Sequence, residues 1–183
     1  MQNNLRDWVR LVENSLPASI WPKAARRLIQ QIDWTGGSGE DVMAYLGYAD
    51  GEPPPNPNSS AFKRKLKAWA TERVISAFEE IEWRFKADVI RVYRMIAAPP
   101  DWTPDPTRHP GEYWSWDEKA AEAHWGDFGS GHVKWLMITD VRKSQIDWEQ
   151  TLAANGAPGY ESECEITVRA DAPIKLLGYK QVK

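Results

Sequence analysis

Val89-Ile90-Arg91-Val92-Tyr93-Arg94-Met95-Ile96 is the stretch on which the reading of this chain turns. It is rich in β-branched residues and alternates its side chains, as a strand with two distinct faces does. Alternation puts Ile90, Val92, Arg94 and Ile96 on one face. An arginine on an apolar face is costly to bury without an anion beside it. That anion is either a carboxylate of the protein or a phosphate of a ligand, and the guanidinium fork suits both.

Upstream of this strand the pattern is helical. Trp8, Leu11 and Val12 fall at helical spacing over Asp7 to Glu13, and Pro17 ends that segment. Ile20 to Ile32 follows, with Pro22 tolerated in a first turn and Ala24, Leu28 and Ile32 four apart. Ser38 caps a short helix through Leu46, and Gly51 to Asn58, with four prolines, is a connector. Ser59 or Ser60 then caps the longest helix, to about Phe85, with Phe62, Leu66, Trp69, Ala70, Phe78 and Ile81 at three- and four-residue steps.

Downstream the segments shorten. Ala98 to Pro110 is a proline-rich loop, and Asp117 to Trp125 a short helix. Val133 to Thr139, Glu163 to Val168 and Ile174 to Val182 are strands, and Thr151 to Glu161 is a loop. Helices first and strands later predict an α+β fold. Residues 1–88 form a helical N-terminal region, in the same domain or as a packed extension, and residues 89–183 form the core.

Composition narrows the function. With 183 residues the chain can bury a core without disulfides or metals. A net charge of -3 provides no electrostatic grip on nucleic acid, and Lys63, Arg64, Lys65 and Lys67 punctuate a helical pattern as a solvated face. The single Cys164 excludes a disulfide framework and a Cys-rich zinc site, and His109, His124 and His132 are too dispersed for a metal site, so no metal is expected. No run approaches a membrane span and the first residues lack a secretory pattern. A cytoplasmic protein, or one delivered without a cleavable signal, is expected.

Two further motifs carry candidate chemistry. In Glu163-Cys164-Glu165-Ile166-Thr167-Val168, a strand would put Glu163, Glu165 and Thr167 on one side, the carboxylates roughly 6.5–7 Å apart at the backbone. They are either a solvated strand face or a pair that stabilises a cationic transition state and orients an acceptor. In Tyr113-Trp114-Ser115-Trp116-Asp117, three aromatics in four residues cannot all face one core. Ser115 is either an element of a strand–turn–helix junction, with Asp117 or Ser115 as N-cap, or a site residue.

In this order and spacing the three pieces resemble the Arg–Ser–Glu class of the ADP-ribosyltransferase superfamily, over about residues 89–183. Val92-Tyr93-Arg94 is similar to that family's first core strand, Tyr113-Trp114-Ser115-Trp116 and the helix after it to its serine motif, and Glu163-Cys164-Glu165 to its Glu-x-Glu strand. Of the usual Ser-Thr-Ser motif only the serine is kept. The resemblance implies a split β-sheet core and NAD⁺ as co-substrate, without a metal. It implies mono-ADP-ribosyl transfer to an acceptor protein, arginine favoured, as in a bacterial or phage effector or toxin.

By the same resemblance, Glu165 stabilises the oxocarbenium-like cation and Ser115 holds Glu165 and the ribose in register. Glu163 positions or deprotonates the acceptor, and Arg94 anchors phosphate and ribose. Tyr113, Trp114, Trp116 or Trp125 would stack on nicotinamide or adenine, and Tyr160 would touch the acceptor. The alternatives are an NAD⁺ glycohydrolase on the same scaffold and a non-catalytic interaction domain that keeps the fold.

Overall fold

The computed structural model describes residues 16–48, 56–124, 131–159 and 163–182. The helix expected over Asp7 to Glu13, most of the proline-rich connector, the stacking candidate Trp125 and the candidate acceptor contact Tyr160 lie outside these residues. Among the described residues no helix is long and apolar enough to cross a membrane.

The chain divides into two compact units, residues 1–82 with 148–161, and residues 83–147 with 162–183. The division falls near the expected boundary at 88, but a later segment joins the helical unit. Its elements are α1 (Ile20–Gln31), α2 (Gly37–Tyr45), α3 (Ser60–Glu82) and α5 (Trp148–Gly156). The composition of Thr151 to Glu161 predicts a loop, whereas α5 runs to Gly156 and buries Trp148, Thr151, Leu152 and Asn155. Those positions recur at three- and four-residue steps, the signature of one buried helical stripe.

Phe78 on α3 anchors this unit. Its ring lies 5.3 Å from that of Trp21, nearly edge-on, and 5.4 Å from that of Trp148. Arg73 on α3 donates from Nε to the carbonyl oxygen of Gly156, 2.9 Å away. That bond satisfies one of the carbonyls a helix leaves open at its C-terminal end and places a cation where the helix dipole favours it.

The second unit holds β1 (Val89–Ala98), β2 (Tyr113–Ser115), α4 (Glu118–His124), β3 (Val133–Arg142), β4 (Glu165–Thr167) and β5 (Gly178–Val182). Together they make an α+β fold. The described strands form one antiparallel sheet in the order β4-β2-β1-β3-β5, where the resemblance implies a split one. The β1–β3 pairing is unbroken over ten residues, from Val89 opposite Arg142 to Ala98 opposite Val133. Ile90 and Val92 are buried on one face of β1, as alternation requires. On the other face Met95 packs with Leu136 of β3 and Ala121 of α4, flanked by Tyr93 and Val182. Asp117 caps α4 by accepting the Ala120 N–H at 2.9 Å.

Candidate active site

The motif strands are neighbours, with β2 between β1 and β4. Tyr93 pairs with Ser115, and Ser115 pairs with Glu165. Direct cross-strand partners project from the same face of a sheet, with Cβ atoms about 4.5–5.5 Å apart. Glu165, Ser115 and Tyr93 therefore form a row across three strands. Thr167, two residues beyond Glu165 on the same side, donates from Oγ1 to Glu165 Oε1 at 2.7 Å. Thr167 is itself buried, so it holds that carboxylate oxygen in a fixed place.

Ser115 is 6% exposed. Its hydroxyl donates to the carbonyl oxygen of Glu163 at 3.0 Å and accepts the Asp117 N–H at 3.1 Å. The backbone N–H of Trp116 donates to the carbonyl oxygen of Cys164 at 3.0 Å. These bonds tie the end of β2 to the turn that leads into β4. Ser115 thus belongs to the strand–turn–helix junction and to the Glu165 row at once.

Glu163 is a correction. It precedes β4 in a 3₁₀-type turn, and Cys164 between the glutamates has φ 53. A left-handed residue interrupts the two-residue alternation that would have carried both carboxylates on one strand face. Only Glu165 sits on the strand.

Arg94 is the second correction. It follows Tyr93 on an unbroken strand, so it projects from the face opposite Ser115 and Glu165. Its guanidinium lies against Gly111, and neither Nε nor Nη1 has a hydrogen-bond partner among the described residues. Burial pushes its pKa below the ordinary guanidinium value, while the charges of Glu112 and Tyr113 act the other way. Neither anion expected beside Arg94 is hydrogen-bonded to Nε or Nη1.

Gly111 makes room for this side chain. Its φ is +100, and a Cβ there would overlap Arg94 Nη1. Gly111→Ala is expected to lose about 1–3 kcal/mol of stability through backbone strain and displacement of the guanidinium. Urea denaturation reads this directly, and an unchanged midpoint would contradict the stated fit.

The aromatic motif splits between roles. Trp114 is buried and donates from Nε1 to the Gly111 carbonyl oxygen at 2.9 Å, a packing role and a correction to its place among the stacking candidates. Tyr113 is 55% exposed on the face of Ser115. Trp116 is 7% exposed and borders a cavity of about 580 Å³. Trp83, Arg84, Lys86, Arg91 and Tyr93 also line that cavity. It adjoins the row, since Tyr93 is the cross-strand partner of Ser115 and Trp116 its chain neighbour.

The cavity's cations escaped sequence reading. Arg91 shares Tyr93's face by alternation, a signal that was present, and it forms a two-point ion pair with Asp140 at 2.8 and 3.1 Å. The hydrogen bond to Asp140 raises its pKa above the ordinary value. Arg84 stands just past α3, where helical periodicity no longer says what it faces. Its guanidinium lies 4.4 Å from the centre of the Trp83 ring and 5.0 Å from that of Trp116.

No family model matches this chain, and no curated protein or solved structure matches it.

Proposed function

We propose that the chain is a mono-ADP-ribosyltransferase, cleaving NAD⁺ at the nicotinamide–ribose bond and passing ADP-ribose to a protein acceptor, arginine favoured. The observation that carries this reading is the direct cross-strand pairing of Ser115 with Glu165, on strands that lie beside the Arg94 strand. Three motifs separated by up to seventy-one residues lie on adjacent strands, with Ser115 and Glu165 on one face and Arg94 on the other.

In the proposed reaction the C–N bond to nicotinamide breaks and nicotinamide leaves with the bonding pair. Positive charge builds on the ribose, and the Glu165 carboxylate stabilises it most where water is excluded. A nitrogen of the acceptor guanidinium bonds to the ribose carbon, and its proton passes to a base, the role proposed for Glu163. Ser115 positions these groups by holding the Glu163 carbonyl and the start of β4.

Ser115→Ala is expected to lower nicotinamide release by up to about 10²-fold, chiefly in kcat, because the turn before Glu165 loses its tie. A change confined to KM would assign Ser115 to substrate binding instead.

The opposite placement of Arg94 favours a second reading, an interaction domain that keeps the sheet without turnover. Nicotinamide release from NAD⁺ by folded protein, measured with and without a cell lysate, separates the two. Release stimulated by lysate, with covalent labelling of a lysate protein, supports transfer. Free ADP-ribose without labelling supports a glycohydrolase, and no release supports the interaction domain.

A further inference from the structure

The helical unit has an apolar cavity of its own, bordered by α1, α3, Met43 of α2 and the turn after α1. Its volume of about 870 Å³ lies within the range of small-molecule sites, roughly 300–1,000 Å³. Ala25, Phe62 and Leu66 are buried in its lining, and Ile29 and Met43 are half-buried beside them. Trp34 is 45% exposed, with its ring 6.3 Å from that of Phe62. An indole left this open on an apolar lining gains burial when an apolar guest covers it.

The charges around this cavity have one sign. Arg26 of α1 and Lys63 and Lys67 of α3 border it, and among the described residues no carboxylate does. Three positive charges thus gather on a chain whose net charge is -3. Among the described residues none of the three is in an ion pair. Lys65, between the two lysines in sequence, instead donates to the carbonyl oxygen of Leu46 at 3.1 Å. Lys63 and Lys67 stand one helical turn apart, where like charges repel and a shared anion relieves the repulsion. The basic run expected to be a solvated face therefore divides, with two of its members beside apolar surface.

We propose that this cavity binds a single-chain carboxylate amphiphile, a fatty acid. Its tail lies on Phe62, Leu66, Ile29 and Trp34, and its carboxylate among Arg26, Lys63 and Lys67. The bounded volume suits one chain, and the single sign of charge selects an acid over an alcohol or an amine with the same tail. No residue of the candidate active site takes part, so the assignment does not depend on the transferase reading.

The test is calorimetric titration of the delipidated full chain with decanoate, octanoate and decanol. Wild type is expected to bind one decanoate, at least about fivefold more tightly than decanol, with the difference shrinking between about 0.05 and about 0.5 M salt. Octanoate is expected to bind about fifteenfold more weakly than decanoate, its two missing methylenes counting about fourfold each. Arg26→Gln, Lys63→Gln and Lys67→Gln are each expected to weaken decanoate about two- to fivefold. The triple variant is expected to bring decanoate and decanol within about twofold of each other, with decanol unchanged. The three side chains are exposed, so these variants keep the helices packed. Trp34→Ala is expected to weaken both ligands about fivefold or more. If it does not fold, Met43→Glu sets a carboxylate in the lining and is expected to weaken decanoate by a similar factor. Equal affinity of wild type for decanoate and decanol, or a preference for decanoate that survives in the triple variant, overturns the assignment. Absence of decanoate binding overturns it as well, and sedimentation of the same protein then shows whether a second copy covers the cavity.

Discussion

Glu165→Gln is expected to lower nicotinamide release from NAD⁺ by about 10²–10³-fold while the protein remains folded. The size follows from the removal of one preorganised charge aimed at a developing cation, a loss of roughly 3–4 kcal/mol of barrier lowering. Glutamine keeps the shape of the side chain and an oxygen that can accept the Thr167 hydroxyl, now bonded to Glu165 at 2.7 Å. The β2–β4 pairing is made by the backbone and does not need the charge. Stability is therefore expected to stay within about 1 kcal/mol of wild type, so that lost activity reports chemistry and not unfolding. Nicotinamide release and urea denaturation on the same preparation check both halves. Activity within threefold of wild type would remove Glu165 from the chemistry, and with it the observation on which the transferase reading rests.

Much of the sheet was legible because strands announce their faces. Ile90 and Val92 are buried together as the alternation of β1 requires, and the long helix ending near residue 85 ends at Glu82. Alternation fixes which face a residue takes but not which residue stands opposite on the neighbouring strand. The Arg94 reading failed at this point: Ser115 meets Tyr93, one residue away, and a single step reverses the face. The Glu163 reading failed on backbone conformation, since nothing in the residue type of Cys164 marks a left-handed position. In α5 the Ala- and Gly-rich composition favours a loop, although Trp148, Leu152 and Asn155 keep a helical beat. Arg84 was hidden for a different reason. Its significance lies in two indoles, one next to it in the chain and one thirty-two residues later, and only the fold brings the second to it.

Phe78→Ala is expected to destabilise the helical unit by about 3–5 kcal/mol. Phe78 is fully buried on α3, with Trp21 of α1 on one side and Trp148 of α5 on another. Removing the ring takes away its burial, two aromatic contacts each worth about 0.5–1.5 kcal/mol beyond area, and the filling between three helices. The indoles are too large and too well packed to collapse fully into the space, so a cavity remains. A domain's whole stability is about 5–15 kcal/mol, so this one residue carries a large share. Phe78→Leu, which keeps most of the volume, is expected to cost only about 1–2 kcal/mol. Urea denaturation of the three proteins gives the comparison, and a loss below about 1 kcal/mol for Phe78→Ala would mean that the ring is not the keystone its contacts describe. Residues assigned to the chemistry all fall in 83–147 and 162–183, whereas Phe78, Trp21 and Trp148 fall in the other unit. The two substitutions therefore divide the claims cleanly: Glu165→Gln changes a charge with the packing intact, and Phe78→Ala changes the packing with every proposed catalytic group in place.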